Sequence, residues 1–178
     1  MDPARPHLDH DHDHDHDPQA MRALAERLAD ARRDARQIAH LPASLVPPTP
    51  EAGYDVNREV ARRLGWAPLG WKIAGTTQAV RDRLRIDTPI YGRTYRRFAA
   101  TSPATLSLPE LLDPLIECEF FVTLGAALPW RERPWTLDEV KAAVRTVHAG
   151  IEVAECRFPN ANLPPLPAVL ADGAASGR

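Results

Sequence analysis

The run LIECEFFVTLG at residues 115–125 constrains this chain most. Rich in branched and aromatic side chains and closed by glycine, it reads as a strand. Side chains alternate along a strand, so residues two apart share a face. Ile116, Cys118, Phe120, Val122 and Leu124 form one apolar face, expected to be core. Leu115, Glu117, Glu119, Phe121 and Thr123 form the other, so two carboxylates project side by side. Like charges this close repel, and burial raises the cost. Either a divalent cation such as Mg²⁺ or Mn²⁺ offsets it through the carboxylate oxygens, or the face is wet and the glutamates are solvated.

A second strand, AGIEVAEC, bears on that choice. Glu152 shares a face with Gly150, Ala154 and Cys156, all small, which leaves room for a bound group beside its carboxylate. Together with Glu117 and Glu119 it would complete a three-carboxylate site. Glu155 falls on the opposite face with Ile151 and Val153 and reads as a salt bridge or strand-end charge. In a third strand, LGWKIAG, Trp71 and Ile73 face one way and Gly70, Lys72 and Ala74 the other. Lys72 reads as a group that pairs with a carboxylate or transfers protons, or as a strand-edge lysine that snorkels.

Helices lie between these strands. Residues 18–40 carry Met21, Leu24, Leu28, Ala31, Ala35 and Ile38 as an apolar stripe, with Asp17 as cap and Pro18 in the first turn. A proline-rich loop at 42–53 precedes a helix expected at 56–64, capped by Asp55 and ended by Gly65. Thr77 can cap a helix bearing Val80 and Leu84. Thr136 and Glu139 form a capping-box pattern for a helix at 136–147, with Leu137, Val140, Val144 and Val147 inside. The chain closes as a proline-rich loop followed by VLADGAASGR. Strands and helices alternate without a regular βαβ rhythm, and neither GxGxxG nor GxxxxGK[ST] occurs. The fold class is α+β, with helices packed around a mixed or antiparallel sheet.

A length of 178 residues suits one domain of ordinary size. The tract HLDHDHDHDHDP makes residues 1–17 a His/Asp-rich tail expected to be disordered; it is either low-complexity sequence or a separate metal-binding tail. Residues 18–178 form the domain. The formal charge of −2 hides an acidic tail, because residues 19–178 hold 18 acidic against 21 basic side chains. That excess is too mild, and too far from any aromatic-interleaved basic patch, to argue for nucleic acid. Cys118 and Cys156 lack zinc-ligand spacing and read as buried free thiols of a reducing cytoplasm. No apolar run approaches ~20 residues, so no membrane span is expected, and no hydrophobic signal core marks export.

In order, GWKIAGTTQAVRDRLRIDTPIYGR, PLIECEFFVTLGAALP, WTLDEVKAAV, HAGIEVAECRF and LADGAASG resemble the 2-keto-4-pentenoate hydratase and 4-oxalocrotonate decarboxylase group of the fumarylacetoacetate hydrolase superfamily. The likeness spans most of residues 20–177. It implies a mixed β-sheet roll of the fumarylacetoacetate hydrolase C-terminal type with packed helices. It also implies a Mg²⁺ or Mn²⁺ site at Glu117, Glu119 and Glu152, with Lys72 as an active-site group. Asp87 of IDTP, a turn residue on its own pattern, would line the site. The implied activity is a metal-dependent lyase of aromatic catabolism acting on a small 2-oxo or 2-hydroxydienoic acid. Its reaction is hydration of 2-hydroxypenta-2,4-dienoate to 4-hydroxy-2-oxopentanoate, or else decarboxylation of 4-oxalocrotonate. Partners would be further copies of the chain or a related hydratase or decarboxylase.

The pattern departs from the group at three positions: Arg85 stands where glycine is usual, Gly173 where asparagine is, and Ala175 where serine is. Relatives also continue past the equivalent of Arg178 with strands that complete the roll. The expectation is therefore an incomplete roll: a fragment, a chain completed by a partner, or an inactive homologue acting at most as a binding subunit.

Overall fold

The computed structural model describes residues 17–177; the His/Asp tract at 1–16 and Arg178 lie outside the described residues. The first element, α1 (Pro18–Arg33), starts as its sequence requires, with the Asp17 carboxylate accepting the Gln19 N–H at 2.9 Å. It ends at Arg33 rather than near residue 40. Ala35 adopts φ 47°, a conformation that cannot continue a right-handed helix. Ile38 is nevertheless buried, its N–H donating to the Arg157 carbonyl at 2.7 Å.

Helix α2 (Pro50–Leu64) begins earlier than expected. Thr49, not Asp55, is its cap: Thr49 Oγ1 accepts the Ala52 N–H at 3.2 Å. Pro50 then occupies the first turn, where its missing N–H costs nothing. Gly65 ends the helix as expected. The closing stretch, read as loop, contains a further helix, α5 (Leu166–Ala171), which packs against α2. The core lies among these three helices, built from Leu24 and Leu28 of α1, Val56 and Val60 of α2, Ala168 and Ala171 of α5, and Phe158.

The strands form two separate antiparallel hairpins among the described residues. One pairs β1 (Pro68–Ala74) with β2 (Ile90–Tyr95), and the other pairs β3 (Leu115–Leu124) with β4 (Val144–Ala154). Between β1 and β2 runs α3 (Gln78–Leu84), where Thr77 Oγ1 accepts the Val80 N–H as expected. Arg85 terminates α3 in the left-handed region at φ 55°, which explains why glycine suits that position.

Helix α4 (Leu137–Ala143) has the expected capping box but stops short of residue 147. Val144 and Val147 belong to β4, where they pair with Leu124 and Val122; branched side chains cross-strand from apolar partners favour sheet over helix. A second correction concerns the apolar face of β3. Ile116 is 65% and Phe120 83% exposed, because no described element covers that side of the hairpin. Leu137 of α4, expected to point inward, is also exposed. Cys118, on the open face of β3, is exposed rather than buried, whereas Cys156 is buried as expected.

Candidate metal centre

The register of β3 against β4 sets Glu117 directly opposite Glu152, and Glu119 opposite Gly150. All three glutamates therefore share one face. Each can offer a carboxylate oxygen within 4.8 Å of the other two. Lys72 arrives from the other hairpin, its Nζ donating to Glu152 Oε1 at 3.1 Å and standing 3.8 Å from Glu117 Oε2. Lys72 itself is buried, so it is not a snorkelling edge lysine.

The electrostatics suit a cation. Burial pushes the Glu152 carboxyl above its ordinary range; Lys72 pulls it back, and Glu119 and Glu117 add to the rise. Glu152 Oε2 is buried without a hydrogen-bond partner among the described residues. A buried carboxylate oxygen left unmatched is costly, and a hard divalent cation bound through oxygen would match it. Three carboxylates against one ammonium also leave a negative excess at the site. The donor set thus fits Mg²⁺, Mn²⁺ or a similar hard ion.

The final segment holds the two hairpins in relation. A Cβ at Gly92, the β2 residue opposite Lys72, would collide with the Gly173 carbonyl oxygen. The segment also meets the chain just past β4, where the Glu155 N–H donates to the Ala175 carbonyl at 3.2 Å. Residues 173–177 are thus wedged between the strand carrying Lys72's neighbour and the strand carrying Glu152. Asp172 anchors this wedge. Its carboxylate accepts Arg32 Nε at 3.2 Å, Arg157 Nε at 3.3 Å and the Arg157 N–H at 2.8 Å. All three side chains are buried. Burial, followed by the charge of Arg157, lowers the Arg32 pKa, with Asp172 opposing.

Of the residues singled out in sequence, the structure unites Glu117, Glu119, Glu152 and Lys72. Asp87 is exposed in the connection between α3 and β2. Glu155, expected as a salt bridge or strand-end charge, is 2% exposed, and its carboxylate accepts the Leu112 N–H. The Arg32–Asp172–Arg157 node escaped the sequence reading. A signal existed: Arg32 continues the i, i+4 progression of Leu24 and Leu28 on the buried stripe, an uncommon place for an unpaired charge.

No protein-family model matches the chain. The 4-oxalocrotonate decarboxylase of Pseudomonas sp. (strain CF600) is 31% identical over 160 residues, covering 88% of this chain and 59% of that protein. The 2-keto-4-pentenoate hydratase 1 of Dechloromonas aromatica (strain RCB) is 30% identical over 158 residues, covering 87% of this chain and 59% of the relative. Among solved structures, the 4-oxalocrotonate decarboxylase from Pseudomonas putida G7, complexed with magnesium and adipate, matches with a TM-score of 0.79 at 29% identity, covering 90% of this chain and 61% of that one. The chain is a homologue of the 2-keto-4-pentenoate hydratase and 4-oxalocrotonate decarboxylase group. It spans about three-fifths of the length of these group members. The G7 decarboxylase is also known complexed with calcium and acetate, matching with a TM-score of 0.77 at 28% identity over 90% of this chain and 60% of that one. Hydratases and decarboxylases of the group thus resemble this chain to nearly the same degree. No helix among the described residues is long and apolar enough to cross a membrane.

Proposed function

We propose that this chain carries the metal site of a 2-oxo-acid lyase that hydrates 2-hydroxypenta-2,4-dienoate to 4-hydroxy-2-oxopentanoate in aromatic catabolism. The observation that supports it most is the convergence of Glu117, Glu119 and Glu152 within 4.8 Å of one another beside a buried lysine. These glutamates would hold Mg²⁺ or Mn²⁺. When bound, such a cation supplies Lewis-acid stabilisation of negative charge developing on a 2-oxo acid. The complexes of the G7 decarboxylase with magnesium or calcium favour a hard divalent ion here as well.

Lys72 would act on the substrate itself. With its Nζ 3.1 Å from Glu152 Oε1, it can hold the acid's carboxylate or carry a proton to and from the reacting carbon chain. Tautomerisation of the dienol to the 2-oxo-3-enoate moves a proton from the 2-hydroxyl to C5, and addition of water at C4 completes the hydration. Asp87 would line the site from the loop before β2, and Asp87→Asn should then slow turnover of the pentadienoate; unchanged turnover would remove Asp87 from the site. A closed roll of the fumarylacetoacetate hydrolase type, completed by further strands or by a partner chain, would shelter the site. It would also cover the apolar side of β3.

Decarboxylation of 4-oxalocrotonate is the second reading, favoured by the match to a decarboxylase structure. The test offers both acids to the chain with Mg²⁺ and follows the loss of dienol absorbance and the release of CO₂. Turnover of the pentadienoate without CO₂ supports the hydratase. CO₂ release from oxalocrotonate supports the second reading. A chain that binds metal but turns over neither supports an inactive binding subunit.

A further inference from the structure

We propose that Phe121 is a specificity-determining residue of this site, its ring forming the platform for the apolar tail of the acid. The inference rests on the metal-site reading above and goes beyond it to the part of the substrate that does not meet the cation. Phe121 follows Glu119 by two residues on β3 and so shares the carboxylate face. Its ring leans along the sheet instead of standing away from it. A Cβ built at Gly150 would meet Phe121 Cε1 at 2.8 Å and Cδ1 at 2.9 Å. Gly150 is the residue opposite Glu119 and lies two before Glu152 on β4. The ring therefore fills the space that the missing side chain leaves beside two of the three carboxylates.

The ring is backed from behind. His148, opposite Phe121 across the hairpin, stacks on it with centroids 4.7 Å apart and planes 13° from parallel. His148 Nε2 in turn lies 2.8 Å from Thr146 Oγ1 and 3.4 Å from Thr123 Oγ1. Phe121 is 52% exposed, so its remaining surface is open. An acid whose head is held at the glutamates and whose chain runs towards Gly150 meets a fixed aromatic surface. Such a surface suits a short, flat, uncharged tail and offers nothing to a second carboxylate. The class selected is the monocarboxylic 2-oxo acid with an unsaturated or alkyl tail.

Calorimetric titration of the Mg²⁺-loaded full chain with oxalate, 2-oxopentanoate and 2-oxoglutarate tests this. Oxalate has the chelating head and no tail. The wild type is expected to bind 2-oxopentanoate more tightly than 2-oxoglutarate. Phe121→Ala should weaken 2-oxopentanoate about five- to tenfold, as for losing on the order of 50 Å² of apolar contact, and leave oxalate unchanged. Phe121→Trp should restore the tail's affinity. Equal losses for oxalate and 2-oxopentanoate, or no loss for either, would overturn the proposal. Failure of the wild type to bind oxalate would instead overturn the metal-site reading on which it rests.

Discussion

Lys72 Nζ stands 3.1 Å from Glu152 Oε1, although the two residues belong to different hairpins that share no sheet. This ion pair joins the two halves of the site directly. Without metal, Lys72 is the cation that offsets the clustered glutamates. Lys72→Met should therefore destabilise the metal-free chain by about 1–3 kcal/mol in urea unfolding, the cost of leaving buried polar groups unmatched. Added Mg²⁺ should stabilise the variant more than the wild type. A variant as stable as the wild type without metal would show that the pair contributes nothing.

The Asp172 node predicts a larger effect. Its carboxylate joins two buried arginines, one from α1 and one from the loop after β4. Removing one partner of a buried ion pair strands the others. Asp172→Asn should cost about 3–5 kcal/mol by the same measurement, whereas a loss below ~1 kcal/mol would mean that the node is incidental.

Thiol chemistry separates the two cysteines. Cys118 is exposed, while burial pushes the Cys156 thiol up to about 12. An aromatic disulfide reagent at pH 8 should modify one thiol per native chain and two per unfolded chain, and Cys118→Ser should abolish the native reaction. Native labelling of both would contradict the burial of Cys156.

Two carboxylates outside the site are held below their ordinary range and should contribute to the acid limb of stability. The hydrogen bonds from Arg62 lower Glu59 to about 2; burial opposes them, and the charge of Arg62 and the contacts of Arg63 add to the fall. Arg131, followed by the Thr136 N–H, holds Glu139 well below its ordinary value of 4.5. Both groups are depressed in the folded state, so their contribution is fully present above about pH 4.5 and is lost as pH falls through their folded values. Glu59→Gln with Glu139→Gln should flatten the fall in stability between pH 4.5 and 2. An unchanged slope would assign that fall to other carboxylates.

Most of the site was legible in the sequence because strand alternation fixes which residues share a face before any partner is known. Glu117 and Glu119 had to project together, but the room that Gly150 marked beside Glu152 is taken by the Phe121 ring, which no strand pattern reveals. The errors arose where a tertiary partner decides. Val144 and Val147 fit a helical stripe as well as a strand until Leu124 and Val122 pair with them. Ile116 and Phe120 form an apolar face whatever lies against it, so pattern alone could not reveal that this face is open. The Asp172 node joins residues 140 apart in the chain, and no local rule anticipates such a pairing.

Metal titration, by calorimetry or by the spectrum of free Mn²⁺, tests the central claim most directly. One Mn²⁺ should bind per chain with the His/Asp tract at 1–16 removed. Glu152→Gln, which alters the most buried ligand, should weaken it at least about tenfold, and the triple change with Glu117→Gln and Glu119→Gln should abolish it. Binding that survives the triple substitution in the full chain but disappears with residues 1–16 would put the metal on the tail and contradict the account.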